Sequence, residues 1–494
     1  MNRKKEAFAA ATVAAVIAAA LWQRKQSTDR AASTRQHEFP VRHASAAARN
    51  ARLASLGAKA GGTYAVHRAR RVFASAERKA ALDLEFEMKT AEQVAEALGQ
   101  MKGALMKLGQ MASYLDQGLP EHVRAALADL QKDAPPMSAE LAAQMVHEEL
   151  GADPTEVFHE WDPVPIASAS IGQVHRAITN EGIAVAVKVQ YPGVDKAVGA
   201  DLENVGLLFA GVSQLFPGFD HKPFVEELRE RLAEELDYRI EAANQRLFAD
   251  YYEGHPFIHI PRVLDEYSTA RVLTTELAEG VGWNELLTWD QHERNLAAET
   301  LYRFAFGSLY RLRAFNGDPH PGNYLFRPGG QVTFLDFGLV KHFTEAELEN
   351  FEHMIRFMVL EPDAAKFRRT IEDIGLLRAG EPFTDEEVVD YFGHFYEFIR
   401  EDGEYTITAE YASETVRRFF DQRGPYGPIM KAANLPPAFV IIQRINLGLY
   451  ALFGELNATG NWRRLAEEIW PWVAGPPAGH LGDQIAHWDR RRHG

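Results

Sequence analysis

The stretch that decides the fold is Phe315-Asn-Gly-Asp-Pro-His-Pro-Gly-Asn-Tyr-Leu-Phe326, followed by Val332-Thr-Phe-Leu-Asp-Phe-Gly338. It sets Asp318 and Asn323 five residues apart on a tight Pro/Gly loop. Eighteen residues after Asp318, a strand-like run ends in Asp336-Phe337-Gly338. This is the layout of a phosphoryl-transfer site. One Asp faces an acceptor hydroxyl, while an Asn and a second Asp hold Mg²⁺ against ATP phosphates. Each part alone is weak, since Asp-Phe-Gly is frequent by chance. Order and spacing together are much stronger. His320, inside the same loop, reads as a structural hydrogen-bonding residue, because no second ligating His is placed nearby.

Working outward, Ile183–Gln190 reads as a buried strand after the turn at Gly182, and it carries Lys188 in Val185-Ala-Val-Lys188. An alternating strand aims such a cation to one side, where nucleotide phosphates need it, held by a carboxylate on a helix. Glu235 and Glu241 are both available for that pairing. Before the strand lies Ala167-Ser168-Ala169-Ser170, in the place where a protein kinase carries a Gly-rich turn. Cβ atoms there narrow the backbone freedom and crowd a phosphate. The nucleotide is therefore expected in another pose, or with an outcome other than protein phosphorylation. Arg271–Glu276 reads as a further strand, and Glu276 at its end joins the nucleotide-contacting candidates. A helix over 291–315 delivers the Asp318 loop.

The chain has 494 residues, 46% of them hydrophobic and 25% charged, enough for a substantial core. It has no cysteine, which excludes disulfides, thiolate zinc sites and a cysteine nucleophile. The net charge of −16 is uneven: residues 1–80 carry sixteen Lys/Arg against four Asp/Glu, a balance of +12 that leaves −28 for the rest. An acidic body argues against nucleic-acid binding. The basic head reads either as a solvated tail or as a contact for an anionic membrane surface. Within it, the apolar run Ala7–Trp22 has sixteen residues, short of the roughly 20 that span a bilayer. It is a candidate interfacial helix or a solvated one.

The organisation expected is an Ala/Arg-rich segment with a candidate membrane-associated helix (1–65), a helical extension (66–156), a mixed small lobe (157–276), a helical lobe (277–460) and a Trp-rich tail (461–494). Helices are expected over 139–150 and 226–244. Thr344-Glu-Ala-Glu347 fits a capping box. The apolar stretch after Pro436-Pro437 reads as a packing helix, because Arg444 and Asn446 interrupt it.

Taken together, these motifs resemble the UbiB family, the ABC-one or aarF-domain atypical kinase-like proteins linked to ubiquinone biosynthesis. The resemblance covers roughly residues 90–345. Lys107-Leu-Gly-Gln110 matches the family's Lys-x-Gly-Gln signature, Ala167–Ser170 its Ala-rich loop with Ser168 in place of Ala, and Glu235-Leu-Asp237 its Glu-x-Asp pair. Gly317 stands where the family commonly has Ala. The resemblance implies an α+β, protein-kinase-like two-lobed fold with the N-terminal helical extension over the active site and a mainly helical C-terminal region. It implies that Glu241 pairs with Lys188, and that Lys107 and Gln110 close a lid, Lys107 pairing with Glu235 or Asp237 beside the phosphates. It further implies ATP and Mg²⁺ as cofactors and an isoprenoid lipid or anionic membrane surface as partner. A homodimer or partner protein is left open. The location expected is cytoplasmic, peripheral at the inner membrane through the N-terminal segment. Two rival readings share the motifs: a small-molecule phosphotransferase of aminoglycoside-kinase type, and a non-catalytic nucleotide- or lipid-binding module.

Overall fold

The computed structural model describes residues 138–169, 171–192, 194, 236–420, 424–434 and 437–493. These residues divide into two compact units, the first drawn from residues up to 148, 163–175 and 188–236 and the second from 149–162, 176–187 and 237 onward. The expected segment 1–65, most of the expected helical extension, and the Lys107, Gln110, Ser170 and Glu235 positions lie outside the described residues.

In the first unit, helix α1 (Ala139–Leu150) buries Ala142, Met145 and Val146, the three- and four-residue spacing of an amphipathic helix. Strand β2 (Ala167–Ser168) pairs antiparallel with the start of β3 (Gly172–Ile178), Ala167 opposite Val174 and Ser168 opposite Gln173. Ala169 closes the turn by donating its N–H to the Gly172 carbonyl at 2.9 Å. Lys188 lies on the last part of β4 (Ala184–Gln190). Val185, Val187 and Val189 of that strand are fully buried, so the two-residue period places Lys188 on the opposite face.

The second unit contains β1 (Glu160–Trp161), the end of β3, the start of β4 and β5 (Val272–Glu276), adjacent in that order. Glu149, at the end of α1, anchors the stretch before β5. Its carboxylate accepts from Thr269 Oγ1 at 2.5 Å and pairs with Arg271 at 2.7 Å. Helix α2 (Tyr238–Tyr251) starts at Asp237, whose side chain accepts the Arg239 N–H. Asp237 is extended there, so the helix expected through 226–244 does not run through that residue. A local side chain has taken the place of the helical bond.

The remainder is mainly helical and built around α3 (Gln291–Leu312), 22 residues capped by Asp290, whose side chain accepts from Glu293 N. At 1.5 Å per residue it spans about 33 Å. It ends at Arg313 with φ 52°, a left-handed conformation that costs a side-chain-bearing residue roughly 1–2 kcal/mol. The reversal feeds β6 (Ala314–Asn316) directly. Thr344 and Glu347 form the expected reciprocal cap of α4 (Glu345–Ile355). Helix α5 (Pro437–Leu456) buries Phe439, Ile445, Leu449, Leu452 and Phe453, and no helix among the described residues is long and apolar enough to cross a membrane. The Trp-rich end packs back on the same core: Trp462 and Trp470 are buried in it. Helix α6 (Gly479–His493) ends the chain with Trp488 covered.

Candidate active site

Two loops are framed by two antiparallel strand pairs. Strand β6 pairs with β9 (Val340–His342), Asn316 opposite Val340. Strand β7 (Tyr324–Arg327) pairs with β8 (Gln331–Phe334), Tyr324 opposite Phe334. Loop 317–323 runs from β6 to β7, and loop 335–339 from β8 to β9. Each loop therefore starts and ends on a ladder shared with the other. Two further backbone bonds close the frame, Gly317 N to Leu339 O at 2.7 Å and Leu335 N to Asn323 O at 3.0 Å. This topology brings Asp318, Asn323 and Asp336 together, although eighteen residues separate the first from the last.

The first loop is held locally. Pro319 and Pro321 fix φ and remove two donors, and His320 N and Asn323 N find the carbonyls of Asp318 and His320 at 2.8 and 2.9 Å. The His320 ring accepts the Gly322 N–H at Nδ1, 3.1 Å away, and is exposed. Asn323 Nδ2 donates to the Asp318 carbonyl at 3.0 Å and to Asp318 Oδ2 at 3.3 Å. Asp336 Oδ1 accepts the Gly338 N–H at 2.9 Å. Asn316 joins the loops: its Nδ2 donates to the Asp336 carbonyl at 2.7 Å, while its Oδ1 accepts the Asp318 N–H at 3.3 Å. Tyr324 sits beneath both acids. Burial, then the charges of Asp318 and Asp336, push its hydroxyl far above its ordinary pKa.

Helix α2 presents a stripe to the second loop at three- and four-residue steps. Phe248 packs on Phe337, ring centroids 5.1 Å apart. Asn244 Nδ2 donates to the Phe337 carbonyl at 3.1 Å. Glu241, 6% exposed, brings its carboxylate to Gly338: a Cβ there would lie 3.6 Å from Glu241 Oε2 and 3.3 Å from Asp336 Oδ1. Two carboxylates thus converge on one point of the backbone, a concentration of negative charge that favours a cation nearby. Among the described residues, no group of three or more His, Asp or Glu is placed to hold a metal unaided.

Gly317 has a local explanation. A Cβ on it would fall 2.8 Å from Leu339 Cγ, so Leu339, following Asp336-Phe-Gly338, occupies the space that an alanine methyl would need. The other predicted residues are placed as follows. Ala167 and Ser168 are exposed on β2, with Ala169 at the turn, and Lys188 is half-buried on β4. The Glu276 carboxylate is engaged by Arg262 at 2.9 Å, and that of Asp237 by Arg239 at 2.7 Å.

Sequence reasoning missed Asn316, Asn244 and Gly448. Asn316 is a polar residue ending an apolar strand two positions before Asp318, and its position was the available signal. Gly448 lies inside the apolar helix α5, where glycine costs about 1 kcal/mol against alanine. It is there because a Cβ would collide with Pro319 of the first loop.

The chain is similar to a known domain and to several known proteins. The model of the ABC1 atypical kinase-like domain matches residues 129–370. The mitochondrial atypical kinase COQ8B of Rattus norvegicus is 32% identical over 54% of this chain and 51% of its own. The mitochondrial atypical kinase COQ8 of Saccharomyces cerevisiae is 26% identical over 76% of this chain and 75% of its own. The solved complex of Rv3197 with erythromycin from Mycobacterium tuberculosis is 33% identical, covering 81% of this chain and 100% of that one, with a TM-score of 0.60. The chain spans about half the length of curated relatives such as the rat protein.

Proposed function

Because the chain belongs to the ABC1 atypical kinase-like family and has a protein-kinase-like fold, we propose that it is an ATP- and Mg²⁺-dependent kinase or ATPase serving isoprenoid-quinone or membrane-lipid metabolism. The observation that carries this reading is the double strand frame that joins the loop carrying Asp318 and Asn323 to the loop carrying Asp336. The donor set suits a hard cation. Asn323 spends its Nδ2 on Asp318, which leaves its amide oxygen as a ligand beside the Asp336 carboxylate, and Mg²⁺ completes such a shell with phosphate oxygens and water. When bound, Mg²⁺ would neutralise charge on the phosphates.

The chain's own residues supply the rest. Asp318 orients the acceptor hydroxyl and takes its proton. Asn316 fixes the separation of the two acids. Lys188 offers positive charge to the phosphates, with Glu241 as its carboxylate partner. Lys107 and Gln110 act as the lid, and Glu235 and Asp237 receive it. An ATPase assay of the purified chain, with and without anionic liposomes, tests the proposal. Turnover that rises with liposomes and vanishes in Asp336→Asn supports it; a folded chain with no nucleotide turnover overturns it. The erythromycin complex of the solved relative favours a second reading, in which the acceptor is a small hydroxylated molecule. Stimulation by erythromycin rather than by liposomes would select it.

A further inference from the structure

Away from these loops, the second unit holds a half-open cavity of about 240 Å³ lined by α3, the end of α2, the 468–477 segment and the C-terminal helix α6. Its aromatic wall is Trp488 and Tyr251, whose rings lie edge to face at 6.2 Å. The Arg492 guanidinium covers both rings at 5.6 and 5.1 Å.

Two polar groups on the lining are uncommitted. His255 Nδ1 accepts the N–H groups of Phe257 and Ile258 at 3.2 and 2.9 Å. A nitrogen that accepts twice carries no proton, so the neutral ring keeps its proton on Nε2. Burial, helped by the Arg303 charge, depresses the His255 pKa to about 3, so the ring is neutral at physiological pH. The Nε2–H has no hydrogen-bond partner among the described residues. Arg311, at the exposed edge of the lining, makes no ion pair among the described residues.

The other charged groups on the lining are occupied. Arg303 is paired with Glu299 and Glu468 at 2.8 and 2.9 Å, Glu468 also accepts the Ala478 N–H at 2.7 Å, and Asp489 is itself engaged. What the cavity offers is an aromatic corner of two rings set edge to face, one neutral donor and one cation without an ion pair among the described residues. The volume of about 240 Å³ falls below that of most ligand pockets, roughly 300–1,000 Å³, which limits the occupant to one or two rings.

We propose that this cavity is a binding site for a small aromatic carboxylate, its ring against Trp488 and Tyr251 and its carboxylate between Arg311 and His255 Nε2–H. A charge-assisted contact to Arg and a donor fixed in one tautomer discriminate an anion from its neutral isostere.

The test uses the full chain with 2-naphthoate as probe and 2-naphthamide as its neutral counterpart, measured by calorimetry and saturation-transfer NMR. Saturable one-to-one binding of 2-naphthoate is expected. Arg311→Gln, a change at an exposed position, should weaken the carboxylate about tenfold and leave the amide unchanged. Gly307 lines the cavity, and a Cβ there meets only Tyr252 Oη, at 3.6 Å. Gly307→Leu therefore fills the space with a good helix former and should abolish binding of both probes while the thermal midpoint holds. Absence of saturable binding to the unmodified chain overturns the proposal. So does binding that survives Gly307→Leu, or Arg311→Gln with an unchanged 2-naphthoate affinity.

Discussion

Asn316 contacts both loops through one amide, accepting at one and donating at the other. Its truncation removes two hydrogen bonds of ordinary net worth, each about 0.5–1.5 kcal/mol, yet it releases the spacing of Asp318 and Asp336. Misplacement of reacting groups by an ångström costs about a hundredfold in rate. Asn316→Ala should therefore lower ATP turnover by about two orders of magnitude, with a urea midpoint shifted only slightly. Phe337 behaves in the opposite way. It is fully buried against Phe248, so Phe337→Ala should cost about 3–5 kcal/mol of unfolding free energy, read from denaturant titration. The two acids and Asn323 could be singled out in the sequence by residue type and order, and the strand frame brings the loops that carry them together. The asparagines behind them could not, since an amide that bridges backbone groups from distant segments has no spacing rule.

At the scale of elements, helix α5 meets the Asp318 loop through a missing side chain. Gly448→Ala gains helix propensity but drives a methyl into Pro319. The expected outcome is reduced turnover, and restoration by Pro319→Ala in the double variant would assign the loss to that contact. Glu149 offers a pH readout. Burial pushes its pKa up, but the hydrogen bonds from Thr269 and Arg271 and the Arg271 charge outweigh burial and hold it below the ordinary 4.5. A depressed carboxylate contributes stability that is present above its unfolded pKa and lost as pH falls through the folded one. Glu149→Gln should thus lower the urea midpoint at pH 7, and the gap to the parent should close as pH drops below 4.5. Helices α1 and α3, the β3–β4 hairpin and the cap at Thr344 followed from periodicity and capping rules. The helix expected through Asp237 did not, because a short-range cap overrode a continuous charged pattern.

For the whole molecule, the C-terminal segment belongs to the core rather than trailing from it. Its attachment is an interior ion cluster: Arg303, 5% exposed, lies between Glu299 and Glu468 and donates to the Ala478 carbonyl at 2.8 Å. Removing one partner of such a cluster leaves charge uncompensated and costs about 3–5 kcal/mol. Glu468→Ala should lower the unfolding free energy by that amount and quicken proteolysis after Ala478, monitored by mass spectrometry. The tryptophans of this segment were visible in the sequence, but their role was not. Trp462 is buried among Tyr302, Phe398 and Phe453; the contacts with Tyr302 and Phe398 join distant parts of the chain, and no local pattern encodes them.

The bonds Gly317 N to Leu339 O and Leu335 N to Asn323 O join the two loops end to end, so their main chains form one circuit with no loose terminus. A circuit of that kind has no hinge residue. Hydrogen–deuterium exchange should accordingly report a single opening energy for the protected amides of both segments, and a substitution in either should move the protection of the other.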